Sequence, residues 1–221
     1  MSAIRIFVQA RMSSRRFPGK VLAALAGRPL IDHVVERCAK AFGPDAVVVA
    51  TSSDQSDDPL ARHLERQGRQ VFRAELDNVV KRFQGCLASY PCQWFVRISG
   101  DSPLIDPELI ARVAERRLPE LDLVTNVQTR TFPPGQSVEV IRAECFARLD
   151  SDSLSAEERE HATQVFYRSP GKYRICNVVS RDPRLAKQSM TVDTPADLAA
   201  VEALLCSGHV PGYASQIAEA A

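Results

Sequence analysis

Ala46-Val-Val-Val-Ala50 is a continuous apolar run with no polar alternation, the pattern of a strand buried on both faces. Ile4-Arg-Ile-Phe-Val8 precedes it as a shorter strand, and Gln70-Val-Phe72 and Trp94-Phe-Val-Arg-Ile98 follow. Helical spacing fills the gaps. Leu30 to Phe42 carries Ile31, Val34, Val35 and Cys38 on one stripe, Ser56-Asp-Asp-Pro starts a helix to about Arg66, and Asp77 caps a helix through Leu87. Pro107 to Arg117 reads as a further helix and Leu121 to Thr125 as a strand. This alternation predicts an α/β protein with a Rossmann-like, mostly parallel mixed sheet covered by helices on both faces.

The rhythm breaks after Thr125. Val127 to Ile141 reads as an extended excursion around Pro133-Pro-Gly135, and helical patches follow at Arg142 to Leu149 and Ser155 to Tyr167. Strands return at Tyr173 to Val179 and Ser189 to Val192, followed by a capped helix over Thr194 to Leu205 and a small terminal helix within Gly208 to Ala221. With 221 residues and no linker, repeat or low-complexity tract, the chain reads as one domain over 1–221 with an inserted excursion at about 127–178.

Composition excludes several classes. Lys+Arg total 28 against 27 Asp+Glu, so no net charge draws the chain to nucleic acid or a membrane. The start, MSAIRIFVQARMSS, runs too soon into a polar loop for a signal peptide, and no segment is apolar enough to span a bilayer. The six cysteines are scattered without a C-x-x-C pair, as expected of reduced thiols in a cytoplasmic protein rather than of disulfides or a zinc site.

Three stretches carry chemistry. Gln9-Ala-Arg-Met-Ser-Ser-Arg-Arg-Phe-Pro-Gly-Lys20 follows the first strand, where parallel sheets hold ligands, and offers Arg11, Arg15, Arg16 and Lys20 to phosphates. It is neither a P-loop nor a G-x-G-x-x-G fingerprint; a solvated basic loop is the plainer alternative. Gly100-Asp-Ser-Pro103 follows the fourth strand. Asp101 there suits a Mg²⁺ ligand, an Asx turn or the cap of the next helix. In Val192-Asp-Thr-Pro-Ala-Asp197, Thr194 caps a helix, Pro195 takes its first position and Asp197 closes a capping box. Asp193 is left without such a role, free to share a cation with Asp101. Asp150-Ser-Asp152 lies between helices, where such residues cap and turn, and His161 reads as a packed or surface residue in a helix. Glu139, after the Pro-Gly turn, can contact substrate or sit on a surface strand.

These motifs together resemble the cytidylyltransferases that make CMP-sugar acids, the acylneuraminate and 3-deoxy-manno-octulosonate enzymes, and most of all the branch of the spore coat polysaccharide biosynthesis protein F. The resemblance runs from Gln9-Ala-Arg through Phe-Pro-Gly-Lys20-Val-Leu to Val71-Phe-Arg73, Asp77-Asn-Val79, Arg82-Phe83 and Arg97-Ile-Ser-Gly-Asp-Ser-Pro-Leu-Ile-Asp106. It continues through Gly135-Gln-Ser-Val-Glu139, Glu160-His-Ala-Thr163 and Thr191-Val-Asp-Thr-Pro-Ala-Asp-Leu198. It implies a magnesium-dependent transfer of CMP from CTP to a small acidic acceptor, with pyrophosphate as leaving group and a homodimer joined through the inserted region. It assigns Arg11 and Lys20 to catalysis at the triphosphate, and Gln9, Ala10, Ser13, Arg73 and Ser99, with those two, to the nucleotide. Asp101 and Asp193 fall to Mg²⁺, and Gln136 and Glu139 to the acceptor.

The chain departs from the family where Ser13-Ser-Arg-Arg-Phe-Pro replaces the commoner Gly-Ser-Thr-Arg-Leu-Pro, adding the charge of Arg15. It also departs at Ser137 and Asn78, where the branch often has acidic residues. No histidine or carboxylate stands out as a general base. The rival readings are transfer of another nucleotide, a phosphonate or sugar-phosphate acceptor, and a non-catalytic scaffold; a nucleic-acid binder lacks the aromatic ladder it needs.

Overall fold

The computed structural model describes residues 2–169 and 171–218. Seven strands form one sheet in the order β5-β4-β1-β6-β8-β7-β9. These are β1 (Ser2–Gln9), β4 (Val47–Ser52), β5 (Gln70–Ala74), β6 (Cys92–Ser99), β7 (Leu123–Thr125), β8 (Glu139–Arg142) and β9 (Ile175–Asn177). A two-residue ribbon, β2 (Ala24–Leu25) with β3 (Arg28–Pro29), stands apart from it. β1 pairs in parallel with β4 and β6, and β4 with β5. β8 runs antiparallel to both its neighbours, β6 and β7, and β7 pairs in parallel with β9. The mostly parallel mixed sheet is the one expected, and all six residues of β4 are buried, as its unbroken apolar run required.

The chain lays β4 and β5 to one side of β1 and then crosses to lay β6 on the other. The crevice at the carboxyl ends of β1 and β6 is therefore the topological switch point, where open α/β sheets bind ligands. Two apolar layers cover the sheet. One packs Ile6, Val8, Val49, Val96 and Ile98 against α1 (Leu30–Phe42), α2 (Asp58–Arg66) and α4 (Pro107–Glu115). The other packs Phe7, Phe95 and Ile141 against α3 (Val79–Ser89), α5 (Ala143–Ala147) and α7 (Gln164–Tyr167). Its centre is an aromatic cluster in which Phe7 stacks on Phe95 at 5.0 Å and Phe146 meets Phe95 edge-on at 5.2 Å.

Several boundaries differ from expectation for physical reasons. Asn78, not Asp77, caps α3, its side chain accepting the Lys81 amide at 2.9 Å. Ser155 to Tyr167 is two short helices, α6 (Ala156–Glu160) and α7, because the chain turns at His161 to bury Ala162 and Thr163. Ser189 to Val192 is not a strand. It bonds to loops instead of a neighbouring strand, Met190 N–H to Pro134 O at 2.8 Å and Val192 N–H to Asp101 O at 2.9 Å. The expected terminal helix within 208–221 is a single 3-10 turn, Ala214–Gln216, beside the buried Tyr213; residues 219–221 lie outside the described residues. The excursion at 127–178 adds β8 and β9 to the sheet itself.

Gly135 makes the Pro-Pro-Gly turn possible. Its φ is +95°, and a Cβ there would stand 2.6 Å from the Met190 carbonyl carbon. Gly135→Ala is expected to destabilise the protein by about 3 kcal/mol, combining left-handed strain with displacement of the Met190 backbone. Urea unfolding of the purified variant checks this.

Candidate active site

The switch-point cleft has one wall in the loop after β1. Met12 anchors that loop: its N–H donates to Asp57 Oδ1 at 2.6 Å, and its carbonyl accepts from Ser14 at 2.9 Å and Gly19 at 2.8 Å. Asp57 is fully buried, and its second oxygen accepts from the Ser52 amide at 3.1 Å and from the Ser52 hydroxyl. A buried carboxylate just before α2, bonded to the last residue of β4, thus holds the loop one residue beyond Arg11. On the floor, Gly100 N–H donates to Gln9 O at 2.8 Å, and a Cβ on Gly100 would lie 2.8 Å from that of Ala10. The glycine lets the ends of β1 and β6 close up, which brings Asp101 opposite the loop.

Lys20 begins a 3-10 turn (Lys20–Leu22) and its side chain is only 9% exposed. Its ammonium donates three hydrogen bonds: to Asp101 Oδ2 at 2.8 Å, Asp193 Oδ1 at 2.9 Å and Val192 O at 2.8 Å. That uses every donor it has. Asp193 Oδ2 also receives Arg16, at 2.9 Å. Asp193 is placed by the next helix, α8 (Pro195–Cys206), whose capping box forms as expected. Asp197 Oδ2 accepts from Thr194 N at 2.8 Å and from Asp193 N at 3.0 Å, so the cap fixes the backbone of Asp193 as well.

The opposite wall comes from the excursion. Glu160, at the end of α6, reaches across to Arg11 at 2.5 Å, and that bond holds its carboxyl below the usual range. Beneath lies a polar row in strand register, Arg97 opposite Glu139 and Glu139 opposite Thr125. Arg97 donates to Gln9 Oε1 at 3.0 Å and to Glu139 Oε2 at 2.5 Å. Tyr167 donates to the other Glu139 oxygen at 2.7 Å and lies 3.0 Å from the Thr125 hydroxyl. Burial, then the Glu139 charge, pushes the Tyr167 phenol far above its ordinary range, so it remains a donor.

A cavity of about 390 Å³ brings together Gln9, Ala10, Arg11, Lys20, Ser99, Asp101 and Asp193 among the expected residues. Others stand elsewhere. Ser13 is exposed, and its neighbour Ser14 lines the cavity in its place. Arg73 does not line it, because its guanidinium clamps the segment after β4, donating to Ser52 O at 2.8 Å, Asp54 O at 3.1 Å and Asp58 at 2.6 Å. Gln136 is fully buried and holds Asp106 N and Leu104 O, both at 2.8 Å, as a structural bracket between loops. Glu139 is only 2% exposed, not a surface strand residue, and meets the cleft through Arg97. Asp150 accepts from Asp152 N at 3.2 Å, the turning expected of that triplet, while Asp152 pairs with Lys81 at 2.7 Å and Ser155 caps the next helix.

Arg97, Glu160 and His161 also line the cavity, though the sequence reading gave them no role. Arg97 had a visible signal: an arginine inside Trp94-Phe-Val-Arg-Ile98, facing the same side as Phe95, needs a buried partner. Glu160 and His161 had none beyond belonging to a family motif.

A doubly wound sheet with a basic loop at its switch point, facing two aspartates, has the architecture of an α/β nucleotidyltransferase. Among the solved folds it resembles, a cytidylyltransferase from Leptospira borgpetersenii superposes with a TM-score of 0.90 at 24% identity, over 98% of this chain and 92% of that one. A CMP:2-keto-3-deoxy-manno-octonic acid synthetase complexed with CTP superposes at 0.69 and 19% identity, over 94% and 100%. The cytidylyltransferase family model matches residues 5–206, and the chain belongs to that family, in the branch of the spore coat protein. The spore coat polysaccharide biosynthesis protein SpsF of Bacillus subtilis is 31% identical over 210 residues, covering 92% of this chain and 87% of its own.

Proposed function

We propose that this cytidylyltransferase transfers CMP from CTP to a sugar acid with the help of Mg²⁺. The acceptor hydroxyl oxygen bonds to the α-phosphorus, the bond from that phosphorus to the β-phosphate bridging oxygen breaks, pyrophosphate leaves and the hydroxyl proton is released. The observation that carries the reading is the clasp of Lys20 by Asp101 and Asp193 on the floor of a cavity that four arginines also line. Positioning and charge neutralisation are what such a transfer needs from a protein. Arg11, Arg16 and Lys20 are set to hold the triphosphate, with Lys20 and Arg11 balancing charge on the departing pyrophosphate. Gln9, Ala10 and Ser99 form the floor beneath the nucleotide, and Arg97, backed by Glu139, faces the acceptor.

Asp101 and Asp193 fit a hard divalent cation: both already place an oxygen within 3 Å of one positive centre. Among the described residues no cluster of three or more His, Cys, Asp or Glu forms a metal cage, which suits an ion completed by phosphate oxygens and water. When bound, Mg²⁺ would supply Lewis acidity to the phosphate oxygens. The solved relative that holds CTP supports the nucleotide, and the family supports the transfer.

Calorimetry with CTP, UTP, GTP and ATP, with and without Mg²⁺, tests the proposal. CTP is expected to bind preferentially, and at least about tenfold more tightly with Mg²⁺, because the ion replaces the cations that Asp101 and Asp193 must release. Preference for another nucleotide would move the substrate. No nucleotide binding by folded protein would overturn the proposal.

A further inference from the structure

Five cationic side chains line the cleft: Arg11, Arg15, Arg16, Lys20 and Arg97. Four are already committed to carboxylates within it or directly behind it. Arg11 pairs with Glu160, Arg16 with Asp193, Lys20 with both Asp101 and Asp193, and Arg97 with Glu139. Arg15 and Arg16 are both exposed, but Arg15 is the one of the five that makes no hydrogen bond or ion pair among the described residues, its charge reaching Glu160 only through space. Set against those four carboxylates, the five cations leave the cleft one positive charge in excess, and that charge sits on Arg15.

An arriving triphosphate can thus engage Arg15 at once, whereas each other cation must first leave a partner. Breaking those pairs takes place inside the cleft, after encounter. Arg15 is also where this chain departs from its family, which commonly has an uncharged threonine at the position. It stands on an open loop only four residues from Arg11, so a phosphate held by it is delivered to the remaining cations.

We propose that Arg15 is the nucleotide-capture residue of this cleft: it supplies the charge for the encounter with phosphate, and Arg11, Arg16 and Lys20 take over as their carboxylates are released. This rests on the proposed binding of nucleotide here. An unpaired cation at a cleft mouth acts on the association rate, and salt screens its contribution. A group whose phosphate contact persists in the final complex acts on the dissociation rate instead.

Stopped-flow binding of CTP with Mg²⁺ to the full chain, wild type against Arg15→Gln and Arg15→Lys, is the test, run from 25 to about 300 mM NaCl. Arg15→Gln is expected to slow association about five- to tenfold at low salt, with a flatter salt dependence, while dissociation changes less than about twofold. Arg15→Lys is expected to keep most of the rate, since capture needs charge rather than a fork. Unchanged association in Arg15→Gln, or a loss confined to dissociation, would overturn the capture role while leaving nucleotide binding intact. Failure of the wild type itself to bind CTP would overturn the proposed function, and the capture role with it.

Discussion

Asp101→Asn and Asp193→Asn are each expected to lower turnover by about 10³-fold while the protein remains folded. Asparagine keeps the shape of each side chain but removes the charge that both Lys20 and a divalent cation require. The two variants should differ in a way the geometry dictates. Asp101 engages only Lys20 among the cleft cations, so its loss should fall mainly on kcat. Asp193 holds Lys20 through one oxygen and Arg16 through the other, so its loss also frees the basic loop and should raise KM for CTP. Pyrophosphate release measures turnover, and Mn²⁺ titration followed by electron paramagnetic resonance measures the cation directly. Both variants should bind Mn²⁺ at least about tenfold more weakly. Near-normal turnover with unchanged Mn²⁺ binding in both would dismiss the paired aspartates as a metal site.

The fold was legible because its signals are local. The apolar Val47–Ala50 run, the stripe of α1 and the Thr194-Pro195-Asp197 cap each specify their element with little help from elsewhere. Lys20, Asp101 and Asp193 were legible as site candidates because Asp101 lies just after a strand, Asp193 just before a helix cap, and Lys20 ends a basic loop. What the sequence withheld is pairing. Nothing local says that Glu160 meets Arg11 across 149 residues, or that Arg97 spends its charge on Glu139. Arg73 and Gln136 show the converse. Both have the chemistry of ligand contacts, yet both are committed to backbone atoms of loops that only the tertiary structure brings near. The segment Ser189 to Val192 misled for a related reason: its composition is strand-like, but it pairs with no strand and bonds to Pro134 and Asp101 instead.

Lys20→Met is expected to separate two properties that usually fall together, with tighter metal binding and slower chemistry. Methionine fills much of the same space without charge, so Asp101 and Asp193 would face each other with only Arg16 to offset them. That repulsion, partly screened because both carboxylates are partly exposed, should cost about 1–2 kcal/mol of stability. A divalent cation relieves it, so Mg²⁺ should raise the melting temperature of Lys20→Met by more than it raises that of the wild type. Mn²⁺ affinity should rise about three- to tenfold, because the ion no longer competes with an ammonium for the same two oxygens. Turnover should nonetheless fall about 10²–10³-fold, since the charge that balances the departing pyrophosphate is gone. The pair of measurements is decisive because a purely structural lysine predicts otherwise: stability would fall, metal affinity would fall or hold, and turnover would track the folded fraction. Weaker Mn²⁺ binding in Lys20→Met, or a defect confined to KM for the acceptor, would remove Lys20 from the triphosphate and leave it as a brace between the loop and α8.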